Sequence, residues 1–90
     1  MDFEWDREKE MQNLVKHGIS FAEAATIFGD PLAVTYPDPD HSEDEERFLT
    51  FGHATGGPLL VVSHTDRYDR TRIISARRAT RTERKFHEQR

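Results

Sequence analysis

Apolar residues fall along this chain in two rhythms. Over residues 7 to 16, Met11, Leu14 and Val15 recur at helical spacing and predict a helix with a narrow apolar stripe, capped by Asp6. Gly18 fits the left-handed position that closes such a helix. A second helix begins at Ser20, where SFAE forms a capping box: the Ser20 hydroxyl serves the third amide and Glu23 reaches back. Ile19 and Ala24 can staple its start, and Phe21, Ala24, Ala25 and Phe28 make one apolar face before Gly29, Asp30 and Pro31 end it.

The rhythm then shortens. LAVTY (32–36), RFLTFGH (47–53), LLVVSHT (59–65) and RTRIISAR (70–77) read as strands, with the third the most buried. PDPDHSEDEE, between the first two, is a solvated loop. The turns ATGGP and DRYD are too short for parallel crossovers, so the later strands form antiparallel hairpins. Thr80 opens a last helix through a second capping box, TRTE, with Phe86 as its one bulky residue. The expected fold is α+β: two N-terminal helices, a four-stranded antiparallel sheet and a C-terminal helix. Trp5, ahead of the first helix, is expected to anchor the core.

Ninety residues make one domain with a modest core. Without cysteine there is no disulfide framework or thiolate metal site, which suits a cytoplasmic protein. No apolar run approaches the roughly 20 residues of a membrane span, and the charged start lacks a signal-peptide core. The formal charge of −4 conceals a strong segregation. Residues 1–46 carry thirteen acids against three bases, whereas residues 71–90 carry seven bases against two acids. Distribution therefore says more about partners than net charge does.

On the last helix Arg81, Arg84 and Lys85 share one face despite mutual repulsion, and Arg81 opposes the helix dipole. Arg77 and Arg78 lie just before the cap, and Arg72 stands earlier on the strand, in phase with Ile74 and Ala76. Cations gathered against local preference point to an anion, either a phosphate backbone or an acidic protein. The bland alternative is dipole complementation at a helix C-terminus. Among the histidines, His17 suits a helix end, and His41 and His87 are expected to face water. His53 and His64 end neighbouring strands but lack metal-ligand spacing, and His64 is a candidate proton carrier near the arginines. DPDHSEDEE lacks the spacing and glycine of a calcium loop. No Gly-rich phosphate loop, GxSxG or HExxH occurs. No metal or cofactor is expected.

FEWDREKEMQNLVKHGISFAEAATIFGDPLAV resembles the opening of the BrnT toxins, with Trp5, Asp6, Lys9, Asn13, Lys16, His17, Gly18, Phe21, Glu23 and Ala24 fitting the pattern. DPDHSEDEERFLTFG and RIISARRATRTER resemble that family's acidic loop with its following strand, and its closing signature. The resemblance runs from about Phe3 to Arg84. It implies a bacterial type II toxin of RelE/ParE-like fold, an endoribonuclease that cuts mRNA without a metal. It also implies a cognate BrnA-like antitoxin, through which alone operator DNA would be contacted. By motif it places Arg72, Arg77, Glu83 and Arg84 in the active site, and Arg67, Arg78, Arg81 and Lys85 are further RNA-binding candidates. Arginine suits phosphate because its planar fork grips two oxygens, and it is a poor base. Glu83 and His64 are then the proton-handling candidates, although Glu83 has a competing capping role. A non-catalytic toxin acting by contact and a nucleic-acid-binding regulator remain the rivals. The nuclease expectation rests on these cations converging, unpaired, in one pocket.

Overall fold

The computed structural model describes residues 2–41 and 45–89. The calcium reading of DPDHSEDEE falls partly on residues outside this range, and the solvation expected of the His41 side chain also lies outside what is described.

In chain order come β1 (Asp2–Trp5), α1 (Arg7–His17), α2 (Phe21–Ala25) with a 3-10 turn at Thr26–Gly29, and β2 (Val34–Pro37). A short 3-10 turn, Pro39–His41, precedes β3 (Phe48–His53), β4 (Leu59–Arg67), β5 (Arg70–Arg78) and α3 (Arg81–Glu88). The sheet has five strands in the order β1-β5-β4-β3-β2. Strands β2 to β5 pair antiparallel as expected, but β1 joins the far edge parallel to β5. The expected four-stranded antiparallel sheet is therefore corrected to a five-stranded mixed one. The extra strand, DFEW, is four residues long and abuts a helix cap, so its alternation is too brief to stand out. Its Trp5 packs edge-to-face on Phe21, with ring centroids 6.0 Å apart, as a core anchor should.

The helices cover one face of the sheet. Phe21, Ala24 and Ile27 meet Leu60, Val62, Ile73 and Ala76 there, with Phe3, Trp5 and Phe28 packed around them. Gly52 of β3 sits where an added Cβ would stand 3.1 Å from Ile27 Cβ, from Ala33 Cβ and from the Ile27 carbonyl oxygen, so only glycine lets the 3-10 turn lie this close.

The caps form where the sequence implied, but only Thr80 and Glu83 make the two-way capping box; at Ser20 the hydroxyl half alone is present. Asp6 accepts from Glu8 N, Ser20 from Glu23 N and Thr80 from Glu83 N. Gly18 is left-handed (φ 72°) and donates to Leu14 O. The packing of α1 does not follow its apolar stripe. Met11, Leu14 and Val15 are exposed, Val15 to 91 %, and the buried residue of α1 is Asn13. Its Oδ1 accepts from Ala76 N (3.0 Å) while Nδ2 donates to Ala76 O (2.8 Å) and Ile19 O (2.9 Å). Strand β1 pairs β5 only over residues 70–73, so Ala76 faces the edge beyond it. One amide side chain completes that edge as a neighbouring strand would. Helix α3 likewise inverts expectation: His87 is buried and Phe86 is 66 % exposed.

Candidate active site

The sheet face away from α1 and α2 carries the candidate chemistry, and a backbone irregularity decides its membership. Along an unbroken strand, Arg72 and Arg77 differ by an odd number and would point to opposite faces. Here Ser63 pairs with Ser75 but His64 pairs with Ile73, which leaves Ile74 as an extra residue in β5. The bulge restores phase. Arg72 then lies opposite Thr65 and Arg77 opposite Val61, on one face. Arg72 is thus out of phase with Ala76, contrary to the expectation from simple alternation.

Each of these arginines has a carboxylate partner. Arg72 Nη1 donates to Glu4 Oε2 at 2.9 Å, and Arg70 lies 3.8 Å from the same carboxylate. Arg77 grips Glu83 with both terminal nitrogens, at 2.8 and 2.9 Å. Arg67 donates to Glu45 at 3.0 Å, which ties the acidic loop to the end of β4. The expectation of unpaired, converging guanidinium groups is corrected accordingly.

Glu83 also accepts from Thr80 N (2.9 Å), so it caps α3 and holds Arg77 at once. The bond from Arg77, followed by the amide of Thr80, holds the Glu83 carboxyl down to about 2 against burial. The same contact raises the Arg77 guanidinium and keeps it charged.

Helix α3 turns Thr82, Glu83, Phe86 and His87 toward β2 and β3. At 100° per residue, Arg81, Arg84 and Lys85 therefore occupy its outward side, exposed to solvent. They form a second cationic strip, separate from Arg72 and Arg77; Arg78 is exposed as well but lies in phase with Ala76, on the opposite sheet face from Arg77.

His64 is elsewhere. It is 3 % exposed, on the helix-packed face between the Phe28 and Phe48 rings. Its Nε2 shares a 2.7 Å hydrogen bond with Thr50 Oγ1, and Nδ1 lies 3.3 Å from Asp66 without the alignment of a hydrogen bond. Burial lowers its pKa, so the ring is neutral. His53 does not approach it. Asp30 Oδ2 accepts from His53 N (2.7 Å), and the His53 ring stands 5.9 Å from that of His87. The Asp30 carboxyl is lowered chiefly by that backbone bond. Among the described residues, no group of three or more His, Asp or Glu side chains could hold a metal.

Lys9, Lys16 and His17 of α1 line a cleft with Ile74 and Ser75 at the β5 edge. Summing charge by segment hid them, because the same stretch of residues 1–46 carries thirteen acids. Their spacing of seven and eight residues was the available signal.

The fold has a counterpart among known proteins. Residues 5–83 match the family described as the ribonuclease toxin BrnT of type II toxin–antitoxin systems. The chain belongs to the BrnT family of ribonuclease toxins. The crystal structure of the Brucella abortus ribonuclease toxin BrnT superposes with a TM-score of 0.71 at 25 % identity, over 90 % of this chain and 99 % of that one. No curated protein matches it significantly. As a BrnT-family toxin of a type II system it has an antitoxin partner. No helix among the described residues is long and apolar enough to cross a membrane.

Proposed function

We propose that this chain is a metal-independent endoribonuclease that cuts mRNA on the open sheet face. It acts in the bacterial cytoplasm, arrests growth, and is neutralised by a BrnA-like antitoxin that covers this face. Operator DNA is contacted only through the antitoxin. The order of helices, hairpins and closing helix supports grouping it with RelE/ParE-like toxins.

The observation that carries this is the bulge at Ile74, which sets Arg72 and Arg77 on one face. Cleavage by the RNA's own 2′-hydroxyl needs cations at the nonbridging oxygens, a base and a proton source. Arg77 is partly open to solvent, so a phosphate can compete with Glu83 for its two terminal nitrogens. When an RNA phosphate engages Arg77, Glu83 loses the bond that chiefly depresses its pKa. The freed carboxylate accepts the 2′-hydroxyl proton, the 2′-oxygen bonds to phosphorus, and the 5′-oxygen departs with a proton from water. A 2′,3′-cyclic phosphate and a 5′-hydroxyl result. Arg72 shares the phosphate charge, while Arg67, Arg78 and the outward strip of Arg81, Arg84 and Lys85 hold the flanking backbone. His64 contributes through packing.

Purified protein incubated with RNA in EDTA should yield cyclic-phosphate ends, and Arg77→Ala should abolish both cleavage and growth arrest while folding normally. The pairing of both sheet-face arginines is the observation that favours a toxin acting by contact alone. RNA left intact at high protein concentration, with or without divalent cations, would select that reading. Cleavage that needs a divalent cation would refute metal independence.

A further inference from the structure

A groove of about 390 Å³ runs between α3 and strands β2 and β3. Tyr36, Leu49, Phe51 and Phe86 make its walls, and Glu83 and His87 lie along its helix side. That volume falls in the range of small-molecule sites, ~300–1,000 Å³. Phe86 is 66 % exposed and Tyr36 37 % exposed, and they come from different elements. Phe51 holds Tyr36 edge-on, with ring centroids 5.7 Å apart. The interior gains nothing from Phe86, since His87 takes the buried position on α3.

The groove adjoins the cationic face. Phe51 lies opposite Val61, which lies opposite Arg77, so one row crosses three strands. Two strand spacings separate the row's ends, about 10 Å. Glu83, which holds Arg77, is itself a wall of the groove. An apolar, aromatic slot beside a guanidinium suits an unpaired nucleobase joined to its phosphate.

We propose that the groove is a nucleobase subsite for the RNA substrate, with Phe86 and Tyr36 stacking a base whose strand continues across Arg77 and Arg72. This rests on the ribonuclease reading above. An apolar side chain of the antitoxin is the competing occupant. On the same face Arg67, Arg70, Arg72 and Arg77 set four guanidinium groups against the three carboxylates of Glu4, Glu45 and Glu83, and this surplus of positive charge favours the polyanion.

The test uses the full chain and a single-stranded pentaribonucleotide with 2′-O-methyl sugars, which cannot supply the attacking hydroxyl, beside an abasic analogue with the same phosphates. Phe86 is largely exposed, so Phe86→Ala should fold. Base stacking predicts roughly 5- to 150-fold weaker oligonucleotide binding for Phe86→Ala. The abasic analogue should bind both proteins equally, and Phe86→Trp should bind like wild type with its fluorescence quenched. In cleavage assays Phe86→Ala should raise KM more than it lowers kcat. Equal binding of the pentamer to wild type and Phe86→Ala overturns the proposal. So does a variant that binds RNA normally but loses affinity for its cognate antitoxin, which would make the groove a protein-docking site. If wild type cleaves RNA and Phe86→Ala matches its KM, the subsite alone fails. If wild type neither binds nor cleaves RNA, the ribonuclease site fails with it.

Discussion

Replacing Asn13 tests the packing of α1 most directly. In Asn13→Ala three buried hydrogen bonds disappear, and Ala76 loses partners for both its N–H and its C=O. An orphaned buried donor costs about 1–3 kcal/mol, and the two carbonyls add less because each has a second lone pair. The expected loss is about 3 kcal/mol, a large share of the ~5–15 kcal/mol that holds a domain together. Asn13→Asp should be worse at neutral pH. It keeps the acceptor for Ala76 N but sets a carboxylate oxygen against the Ala76 and Ile19 carbonyls, now 2.8 and 2.9 Å from Nδ2. Its deficit should shrink in acid, as a protonated carboxyl regains a donor. Urea unfolding followed by far-ultraviolet circular dichroism measures all of this, with Val15→Ala as the control. Val15 belongs to the apolar stripe yet is exposed, so its loss should stay within about 0.5 kcal/mol. An Asn13→Ala variant within that same margin, or an Asp variant no worse than Ala, would refute the role given to the amide.

Gly52→Val should destabilise by about 1–3 kcal/mol, read as a lowered urea midpoint, because the Cβ already meets Ile27 and Ala33 at 3.1 Å. The Glu83–Arg77 pair should make stability acid-sensitive. The folded pKa of Glu83 is depressed to about 2 from 4.5, so its contribution is complete above pH 4.5 and is lost as pH falls from there through 2. Both partners are partly exposed, which limits that contribution to about 1 kcal/mol; Glu83→Gln should remove it at pH 7 and converge on wild type near pH 2 in paired urea titrations. His64 adds a separate acid sensitivity. Its pKa is lowered in the folded state, so the unfolded chain takes the proton first and stability falls below pH 6.5, by up to about 1.4 kcal/mol per pH unit. Thermal unfolding of His64→Gln between pH 7 and 5 should show a flatter profile.

The site's electrostatics carry a mechanistic consequence. A carboxylate held near pKa 2 is a weak base, so Glu83 serves only if substrate draws Arg77 away from it. In the proposed mechanism substrate engagement and base activation are one event, and the resting enzyme is quiet. Lysine at position 77 would hold Glu83 less firmly, since it lacks the two-pronged grip.

Local chemistry was legible in the sequence. The caps at Asp6, Ser20 and Thr80, the stop at Gly18 and the three hairpin strands all depend on residues within a few positions of one another. The family signature was legible too, since it is a matter of residue type and spacing. Relations between distant segments belonged to the tertiary structure. Four residues at the N-terminus became a strand only because β5 offered an edge, and Asn13 outranked Leu14 and Val15 because the rest of that edge needed hydrogen bonds more than the core needed apolar area. The bulge at Ile74 leaves no trace in an alternating pattern, yet it decides which arginines share a face. Charge was visible as a count, but its pairing was not: Glu4 and Glu83 reach their arginines only after the chain has folded, because Coulomb attraction and hydrogen bonding depend on distance in space and a sequence supplies only distance along the chain.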